Sequence, residues 1–379
     1  MTGTLWVSVF AFSILGWTWV GYPLLVCLLA RARRTPDRNT DRTLPTVTAI
    51  LGTRDDVAAV AARVADFLAA DYPAALLDVV VGVDGATPEC LQAMRAACNS
   101  ARVQVVAADE GGGKAAGLNA AVRNAGGQVL VFSDVQQRFA TDAISVMVRR
   151  LSSDSRLAAV GGALWLPGDR PGAARRSPVE WYWVMERQLR AAEARLHSSV
   201  GLSGSIYALW RDAWVPMPAQ LILDDVWLPM RLVLEGRRIG YDLDAIAWDA
   251  RSTTASVEKV RKVRTLTGNF QLMAWLPAVL VPYRNPIWVQ FISHKVLRLF
   301  TPWLLLAAAV GGASLTVQAV PAALLPRLLF GVACVVTAVL VLPSTRTHAV
   351  RGARWGWSLQ LAILEATLNG MRGRWNVWR

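Results

Sequence analysis

The sequence is poor in cysteine, histidine and charged side chains, and each shortage argues against a class of protein. Its 379 residues include four cysteines, none in a CxxC pair, which excludes a secreted scaffold held together by disulfide bonds. The three histidines, His197, His294 and His348, are too scattered to form a metal site. Charged residues make up 18% of the chain, against about 25% in typical soluble domains, so an ordinary soluble enzyme is not expected.

Hydrophobic residues, by contrast, make up 54% of the chain, and such a sequence must bury its apolar surface rather than stay disordered. The formal net charge is +13, which leaves three classes of partner: nucleic acid, an anionic membrane surface or a phosphate-bearing substrate. Much of the basic excess flanks apolar runs, and for that reason we expect membrane lipid and not nucleic acid as a partner.

The first apolar run carries no charge from Leu5 to Ala30 and is followed at once by Arg31 and Arg33. It is long enough to cross a hydrocarbon core of about 30 Å. By the positive-inside rule, residues 1–30 are predicted to form a transmembrane helix, with the chain after residue 30 in the cytoplasm. The alternative is a helix buried in a protein core.

Three more apolar runs, Leu299–Val317, Leu328–Leu342 and Trp355–Met371, lie near the C-terminus. Residues 299–379 are therefore predicted to hold C-terminal transmembrane helices and a basic tail, which would make a multi-pass protein of the plasma (inner) membrane. Polar residues interrupt the last run, and whether it spans stays open. The segment 271–298 is apolar but broken by prolines, as interfacial helices are.

Between residues 31 and 270 short β-branched runs alternate with Ala-rich helical patterns. This alternation predicts an α/β domain with a Rossmann-like, mostly parallel sheet, in which ligands bind at the carboxyl ends of the strands. The predicted strands are Thr46–Leu51, Leu77–Val83, Val103–Ala107 and Val129–Phe132, and the predicted helices are Val57–Ala70, Pro88–Ser100 and Lys114–Ala125.

Polar residues follow all four predicted strands. Asp55 follows the first strand, Asp84 the second and Asp134 the fourth, while a glycine-rich loop that ends in Lys114 follows the third. Each acid alone is more typical of a helix N-cap, and the loop lacks the GxxxxGK[ST] spacing of a P-loop. Together they suit a diphosphate: glycines allow close approach, lysine attracts phosphate, and a carboxylate beside phosphate implies a divalent cation. A further carboxylate can hold the base or ribose. The pattern therefore predicts a metal–nucleotide-diphosphate site.

Seven segments, in order, resemble the membrane-embedded branch of family 2 glycosyltransferases, which includes cellulose, hyaluronan and poly-N-acetylglucosamine synthases. They are PTVTAILGTRDD, VVVGVDGAT, GGGKAAGLNAAV, VLVFSDVQ, GLSGSIYALWR, ILDDVWLP and RKVRT. The resemblance implies a GT-A fold from about residue 44 to 270 and an inverting transferase that uses Mg²⁺ or Mn²⁺. Asp134, at the DxD position, would bind the metal, and Asp225 would be the general base with Asp224 as its support. The implied nucleotide-sugar-binding residues are Thr53, Asp55, Asp84, Lys114, Asp134, Arg261 and Arg264. The implied acceptor-binding residues are Gly201, Ser203, Gly204 and Ser205.

The sequence departs from the family pattern at two positions. Gln136 replaces the second acid of DxD, so water and phosphate would complete the metal's ligands. Thr265 replaces the tryptophan of QxxRW, which is expected to contact the acceptor sugar in processive relatives. An alternative role for Asp224 and Asp225 is to cap a helix. An alternative for the basic cluster around Arg261 is a juxtamembrane stretch that is attracted to anionic lipid.

The function expected from the resemblance is sugar transfer from a nucleotide-diphosphate sugar, a UDP-sugar, to a membrane-associated glycan or lipid acceptor. Polysaccharide synthesis with secretion through the chain's own helices is the first form of this hypothesis. Transfer of a single sugar to a membrane lipid is the second, and a catalytically degenerate scaffold of a polysaccharide synthase is the third. A transporter is disfavoured, because the sequence has no repeated membrane halves and no charge within its first span.

Overall fold

The computed structural model describes residues 2–33, 43–54, 56–108, 113–166, 178–249, 255–319 and 343–377. The strands are β1 (Val47–Thr53), β2 (Leu77–Val83), β3 (Val103–Ala107), β4 (Val129–Ser133), β5 (Gln137–Phe139), β6 (Leu157–Trp165), β7 (Tyr207–Trp210) and β8 (Arg238–Asp249). The helices are α1 (Thr2–Gly16), α2 (Tyr22–Arg31), α3 (Val57–Leu68), α4 (Pro88–Ala97), α5 (Gly113–Arg123), α6 (Ala143–Ser152), α7 (Pro178–Leu196), α8 (Asp224–Leu234), α9 (Ala255–Trp275), α10 (Trp288–Phe291), α11 (Leu297–Leu299), α12 (Thr301–Ala319) and α13 (Pro343–Met371). Two π-helical turns lie at Trp17–Gly21 and Ile292–Val296, and short 3-10 turns at Ala74–Leu76, Arg211–Ala213 and Pro277–Leu280.

The eight strands form one sheet in the order β3-β2-β1-β4-β7-β6-β8-β5. The pairs β3–β2, β2–β1, β1–β4 and β6–β8 are parallel, and the other three are antiparallel. The four predicted strands are confirmed as a parallel half-sheet, which fits the Rossmann-like GT-A fold. The sheet as a whole is mixed where a mostly parallel one was expected. The strands β5 to β8 were not predicted, because they lack the long β-branched runs that marked the first four strands.

Local sequence signals explain where the first helices begin. The side chain of Asp56 caps α3 by accepting a hydrogen bond from the Ala59 N–H at 2.9 Å. Thr87 caps α4 in the same way, accepting from the Cys90 N–H at 3.3 Å, and Pro88 follows at the first helical position. Both are common N-terminal signals, since a side-chain oxygen satisfies an amide that has no helical partner.

Helices cover both faces of the sheet, and successive residues of each strand point to opposite cores. In β1, Ala49 and Leu51 pack with α3, α4 and α6, whereas Ile50 packs with α5 and α8. Each buried Val, Leu, Ile or Phe side chain stabilises the fold by about 1.5–3 kcal/mol relative to its exposed state. The strands' carboxyl ends are thus held as a rigid edge.

The N-terminal apolar run is a continuous helix through α1, the first π-turn and α2. Residues Leu5–Arg31 are long and apolar enough to cross a membrane, and few of these side chains are buried by the rest of the chain. Trp6 and Phe10 are about two-thirds exposed. The predicted transmembrane helix is thus a membrane-span candidate, although a core helix or a signal sequence can share these features.

The prediction of several C-terminal membrane spans is not shown by the described ranges. Within them the N-terminal helix Leu5–Arg31 is long and apolar enough to cross a membrane, and a second span arises only if Trp288–Leu299 and Thr301–Ser314, which are bent by 66°, form one span. The run Leu328–Leu342 lies outside those ranges. The last run lies within α13, which packs along α9, with the Asn369 amide 3.4 Å from the Thr267 hydroxyl. Helix α9 itself crosses the predicted domain boundary at residue 270.

Candidate active site

The carboxyl ends of β1, β2 and β4 place predicted binding residues side by side. Thr53 ends β1, Asp84 follows β2 and Asp134 follows β4. The Thr53 carbonyl accepts a hydrogen bond from the Asp84 N–H at 3.0 Å, which ties two of these ends together. The prediction that parallel strands gather these residues at one edge is confirmed for these three. Asp55 and residues 109–112 of the glycine-rich loop lie outside the described residues.

Asp84 is buried, and one of its two carboxylate oxygens accepts hydrogen bonds from the described residues. Its Oδ2 accepts a hydrogen bond from Arg54 Nε at 2.6 Å, and the Arg54 Nη2 pairs with the same oxygen. Its Oδ1 is buried and accepts no hydrogen bond from the described residues. A buried carboxylate oxygen without a donor is costly, so this atom is a natural acceptor for an N–H of a ligand.

Lys114 joins two carboxylates. Its Nζ lies 2.9 Å from Asp134 Oδ1 and 3.1 Å from Asp224 Oδ2. Burial on its own would lower the pKa of the Lys114 ammonium, but the two carboxylates outweigh it and raise that pKa above its ordinary value. The lysine is therefore a permanent cation at the meeting point of α5, β4 and α8.

Small residues bring Lys114 to this point. A Cβ on Gly117 of α5 would lie 2.9 Å from the Gly82 carbonyl oxygen and 3.3 Å from Gly52 Cα. Only glycine lets the helix backbone rest directly on β1 and β2 at their carboxyl ends. The glycine spacing in GGGKAAGLN thus sets the position of the lysine one turn earlier.

A buried arginine on α3 supports the turn that carries Asp134. Arg63 of α3 is completely buried between the rings of Phe67 and Phe139, and its Nη2 donates to Ser133 Oγ at 3.0 Å. The Ser133 hydroxyl in turn donates to the Asp134 carbonyl at 2.8 Å. This chain of contacts fixes the turn that carries the metal-binding candidate.

Asp224 and Asp225 begin α8 and point to different partners. Asp224 faces Lys114, while Asp225 Oδ2 accepts a hydrogen bond from the Gly204 N–H at 3.2 Å. Neither is the N-cap, which is Leu223 and makes no side-chain cap bond, so simple capping does not explain the pair. Burial raises the pKa of Asp225, and the charge of Asp224 raises it further, against the opposing effect of Lys114. A carboxylate with a raised pKa suits a general base.

The predicted acceptor loop wraps around Asp225. The Leu202 N–H donates to the Asp225 carbonyl at 2.8 Å, and a Cβ on Gly204 would lie 3.3 Å from Asp225 Oδ2. Gly201, Ser203 and Ser205 are buried in the same loop. The loop and the carboxylate are thus brought together, with little room between them.

Arg261 and Arg264 share one face of α9 by their helical spacing. Gln271 lies on that face, and its Oε1 accepts from the Ile222 N–H at 2.9 Å, just before α8 begins. Lys262 lies on the side of α9 opposite Arg264 and contacts α13. The end of α9 that carries Gln271 therefore contacts the segment that leads into the site.

Sequence reasoning missed four residues here. The hydroxyl of Tyr207 is buried and has no hydrogen-bond partner in the described chain; burial and the nearby Asp224, Asp225 and Asp134 raise its pKa well above the ordinary value. Arg54, Arg190 and Lys295 also border the carboxylates. Arg54 and Tyr207 lie within two of the seven segments that resemble the family but were assigned no role there, and no local motif marks Arg190 or Lys295.

The described residues hold no group of three histidine, cysteine, aspartate or glutamate side chains that could bind a metal ion. This fits the replacement of the second DxD acid by Gln136. Any metal at this site would take Asp134 as its protein carboxylate and would need oxygen ligands from elsewhere.

Comparison with known proteins gives one family match. Residues 45–268, more than half of the chain, match the model described as Glycosyltransferase like family 2. No curated protein matches the chain.

Among solved structures, the mannosyltransferase PcManGT from Pyrobaculum calidifontis, in complex with GDP-Man and Mn²⁺, is similar with a TM-score of 0.69 and 21% identity, over 96% of this chain and 99% of that one. A mycobacterial protein matches with a TM-score of 0.40 and 18% identity, over 65% of this chain and 76% of its own. GalNAc-T7 with UDP, GalNAc and Mn²⁺ matches with a TM-score of 0.43 and 12% identity, over 62% and 48%. At this identity the first match establishes a shared fold, and the other two are too distant to carry an argument.

Proposed function

Because the chain belongs to glycosyltransferase-like family 2, it is a glycosyltransferase, and we propose that it moves a sugar from a UDP-sugar to a membrane-associated acceptor with inversion at the anomeric carbon. The observation that carries this proposal is the cluster in which Lys114 joins Asp134 to Asp224, with Asp225 next to Asp224 in the first turn of α8. The Lys114 side of this cluster suits a diphosphate, and the Asp225 side suits an acceptor hydroxyl.

The hydrogen bonding of the Asp84 carboxylate supports uridine as the nucleoside. Uracil offers one ring N–H donor, which matches the single unsatisfied oxygen, Asp84 Oδ1. Guanine offers two adjacent N–H donors, and the second would meet Oδ2, which Arg54 already occupies. A site that leaves polar groups unpaired rejects a ligand strongly, so we expect UDP-sugars to be preferred over GDP-sugars.

The donor set fits Mg²⁺ or Mn²⁺ bound with the nucleotide. The Lys114 ammonium already lies between Asp134 and Asp224, so both carboxylates are positioned to interact with a single positive charge. Hard oxygen ligands and retained waters are what these metals take when phosphates complete the site. When bound, such a metal neutralises charge on the departing diphosphate. That PcManGT was solved with GDP-Man and Mn²⁺ supports a nucleotide-sugar donor and a divalent cation.

In the proposed reaction, Asp225 removes the proton from an acceptor hydroxyl as its oxygen bonds to the anomeric carbon. The bond from that carbon to the diphosphate breaks on the opposite face, and the diphosphate leaves with the electron pair. Gly204 holds Asp225 Oδ2, which leaves Oδ1 to face the acceptor. Lys114, together with Arg261 and Arg264, stabilises the leaving group.

The membrane setting is part of the proposal. The apolar helix Leu5–Arg31, followed by Arg33, supports an integral membrane protein with its catalytic domain in the cytoplasm. The same proposal covers any further membrane-spanning helices. It also covers the acceptor, which is either a growing polysaccharide or a single lipid. A lipid acceptor is favoured by Thr265, which is exposed on α9 where processive relatives are expected to carry a sugar-binding tryptophan.

The experiment uses the full chain purified in detergent. Release of UDP or GDP from the corresponding sugars is measured with Mg²⁺, with Mn²⁺ and with a chelator, for the wild type and for Asp134→Asn. Asp212→Asn, at an exposed aspartate on the turn after β7, is the matched control. We expect metal-dependent UDP release that Asp134→Asn abolishes and Asp212→Asn preserves. Preferred release of GDP, or release by Asp134→Asn at the wild-type rate, would overturn the donor assignment.

A further inference from the structure

A buried network of charged groups links α2, α7 and the second π-turn. Glu186 and Glu193 of α7 face His294, whose two ring nitrogens lie 2.8 Å from Glu186 Oε1 and 2.8 Å from Glu193 Oε1. Arg298 Nη1 donates to Glu186 Oε2 at 2.9 Å, and Arg190 pairs with Glu186 Oε1 at 3.3 Å. The proposed reaction uses none of these groups, so the network needs its own explanation.

The network holds arginine N–H donors that none of its described acceptors meets. Each His294 ring nitrogen faces a glutamate oxygen, so the histidine occupies one oxygen of each glutamate. Two N–H groups of Arg298, Nε and Nη2, are buried and donate to no described residue. Arginine donors without acceptors are rare in a protein interior and mark a place for an anion.

Lys295 adds a further cation beside the network. It is half-buried and makes no hydrogen bond or ion pair with the described residues. The charged groups around it are Arg190, Glu186, Arg298 and Asp225. Glu186 is already bound by three partners, and no described carboxylate forms an ion pair with Lys295.

Arg190 connects this cationic cluster to the acceptor loop. Its Nη1 donates to the Leu202 carbonyl at 2.8 Å, and the Leu202 N–H donates to the Asp225 carbonyl at 2.8 Å. The cluster therefore reaches the loop that contacts Asp225. A group bound by Lys295 would lie beside this acceptor loop.

The cluster also lies against the N-terminal apolar helix. Trp17 Nε1 in the first π-turn donates to Ser293 Oγ in the second at 3.0 Å, and the Trp19 ring faces the Arg298 guanidinium at 5.1 Å. Such π-turns are rare and recur at functional sites. A ligand held here would have its apolar part beside a candidate membrane span.

We propose that Lys295, Arg298 and Arg190 form an anion subsite that holds the phosphate of a lipid acceptor while an acceptor hydroxyl faces Asp225. The proposal rests on the glycosyl transfer proposed above and names the acceptor class. The phosphate is a binding handle and takes no part in bond exchange. The hydroxyl oxygen bonds to the anomeric carbon, the carbon–diphosphate bond breaks, the diphosphate carries away the electron pair and the hydroxyl proton passes to Asp225.

Binding of dodecyl phosphate to the full chain in detergent, measured by thermophoresis without a donor, tests the subsite. We expect Lys295→Met to weaken binding by at least about tenfold, because a charge-assisted contact is lost. Lys295→Arg, which keeps the charge, retains binding. Lys259→Met, at a half-exposed lysine on α9, is the matched control and leaves binding unchanged.

Dodecanol and inorganic phosphate are the other probes. We expect no binding of dodecanol and weak binding of inorganic phosphate. Equal affinity for inorganic phosphate would indicate a free-phosphate site and overturn the lipid assignment. Binding of dodecyl phosphate that Lys295→Met leaves unchanged, or that Lys259→Met weakens equally, would overturn the subsite. The assay needs no donor, so failure of the transferase proposal, seen as absent UDP release, is separate from failure here.

Discussion

Replacing Lys114 by methionine removes the cation that joins the two carboxylates of the donor crevice. Methionine preserves most of the side-chain length and packing, but it leaves Asp134 and Asp224 without the ammonium that lies 2.9 Å and 3.1 Å from their oxygens. The perturbation is therefore mainly electrostatic, with the backbone of α5 kept in place by its glycine contacts.

The loss of stability in Lys114→Met depends on how exposed the lysine and its two carboxylate partners are. Removing one partner of a fully buried ion pair costs about 3–5 kcal/mol, whereas an exposed pair contributes about 0.2–1 kcal/mol. The side chains of Lys114, Asp134 and Asp224 are 24%, 38% and 12% exposed, so water screens part of the interaction. We expect a loss of about 1–2 kcal/mol at pH 7, or about 2–8 °C in Tm for a domain of this size.

The pH dependence has a definite sign. The pKa of Lys114 is raised in the folded state, so its stabilising contribution is fully present below the unfolded pKa of about 10.4 and is lost as pH rises through the folded pKa. Below about pH 10 the ammonium therefore stays charged in the wild type, and the Tm difference between the two proteins should be the same at pH 7 and pH 9.

Thermal unfolding of the two proteins in detergent at pH 7 and pH 9 measures this, with Lys259→Met as the control. Added Mn²⁺ should raise the Tm of Lys114→Met more than that of the wild type, because a cation between the carboxylates replaces the missing charge. Equal Tm values at pH 7, or a Tm difference that disappears at pH 9, would refute the electrostatic reasoning.

Three further substitutions test other parts of the site. Gly117→Ala should destabilise the fold by about 1–3 kcal/mol in urea unfolding, because its Cβ meets the β1–β2 backbone, while Gly126→Ala, with nothing within 4 Å of its Cβ, should not. Asp84→Ala should weaken UDP binding by at least about tenfold in calorimetry, through loss of the buried acceptor of the base N–H. Arg264→Gln should raise the KM for the donor, and Lys262→Gln, on the opposite face of α9, should have little effect.

The sequence allowed the parallel half of the sheet to be predicted because its signals are local. The predicted runs Thr46–Leu51 and Leu77–Val83 are rich in β-branched residues and flanked by helical patterns, and their boundaries agree with β1 and β2 within two residues. Since carboxyl ends of parallel strands meet at one edge, the convergence of Asp84, Lys114 and Asp134 could be foreseen as well. The strand β8, whose residues alternate in burial only in part, gave no comparable run.

The residues that were missed depend on contacts between distant parts of the chain. Arg54 lies 30 residues from Asp84, and Arg190 reaches the acceptor loop only because α7 packs beside it. Nothing in the local sequence shows that His294 lies between Glu186 and Glu193. Such sites are set by packing, which composition and spacing do not encode.

The central claim, that Asp225 removes the acceptor proton in a crevice shared with the nucleotide sugar, is tested most directly by the transfer rate of Asp225→Asn, with UDP affinity measured on the same sample. The account predicts that transfer falls by about 10²- to 10⁴-fold while UDP binds as tightly as to the wild type. Transfer at the wild-type rate, or loss of UDP binding in place of loss of transfer, would contradict it.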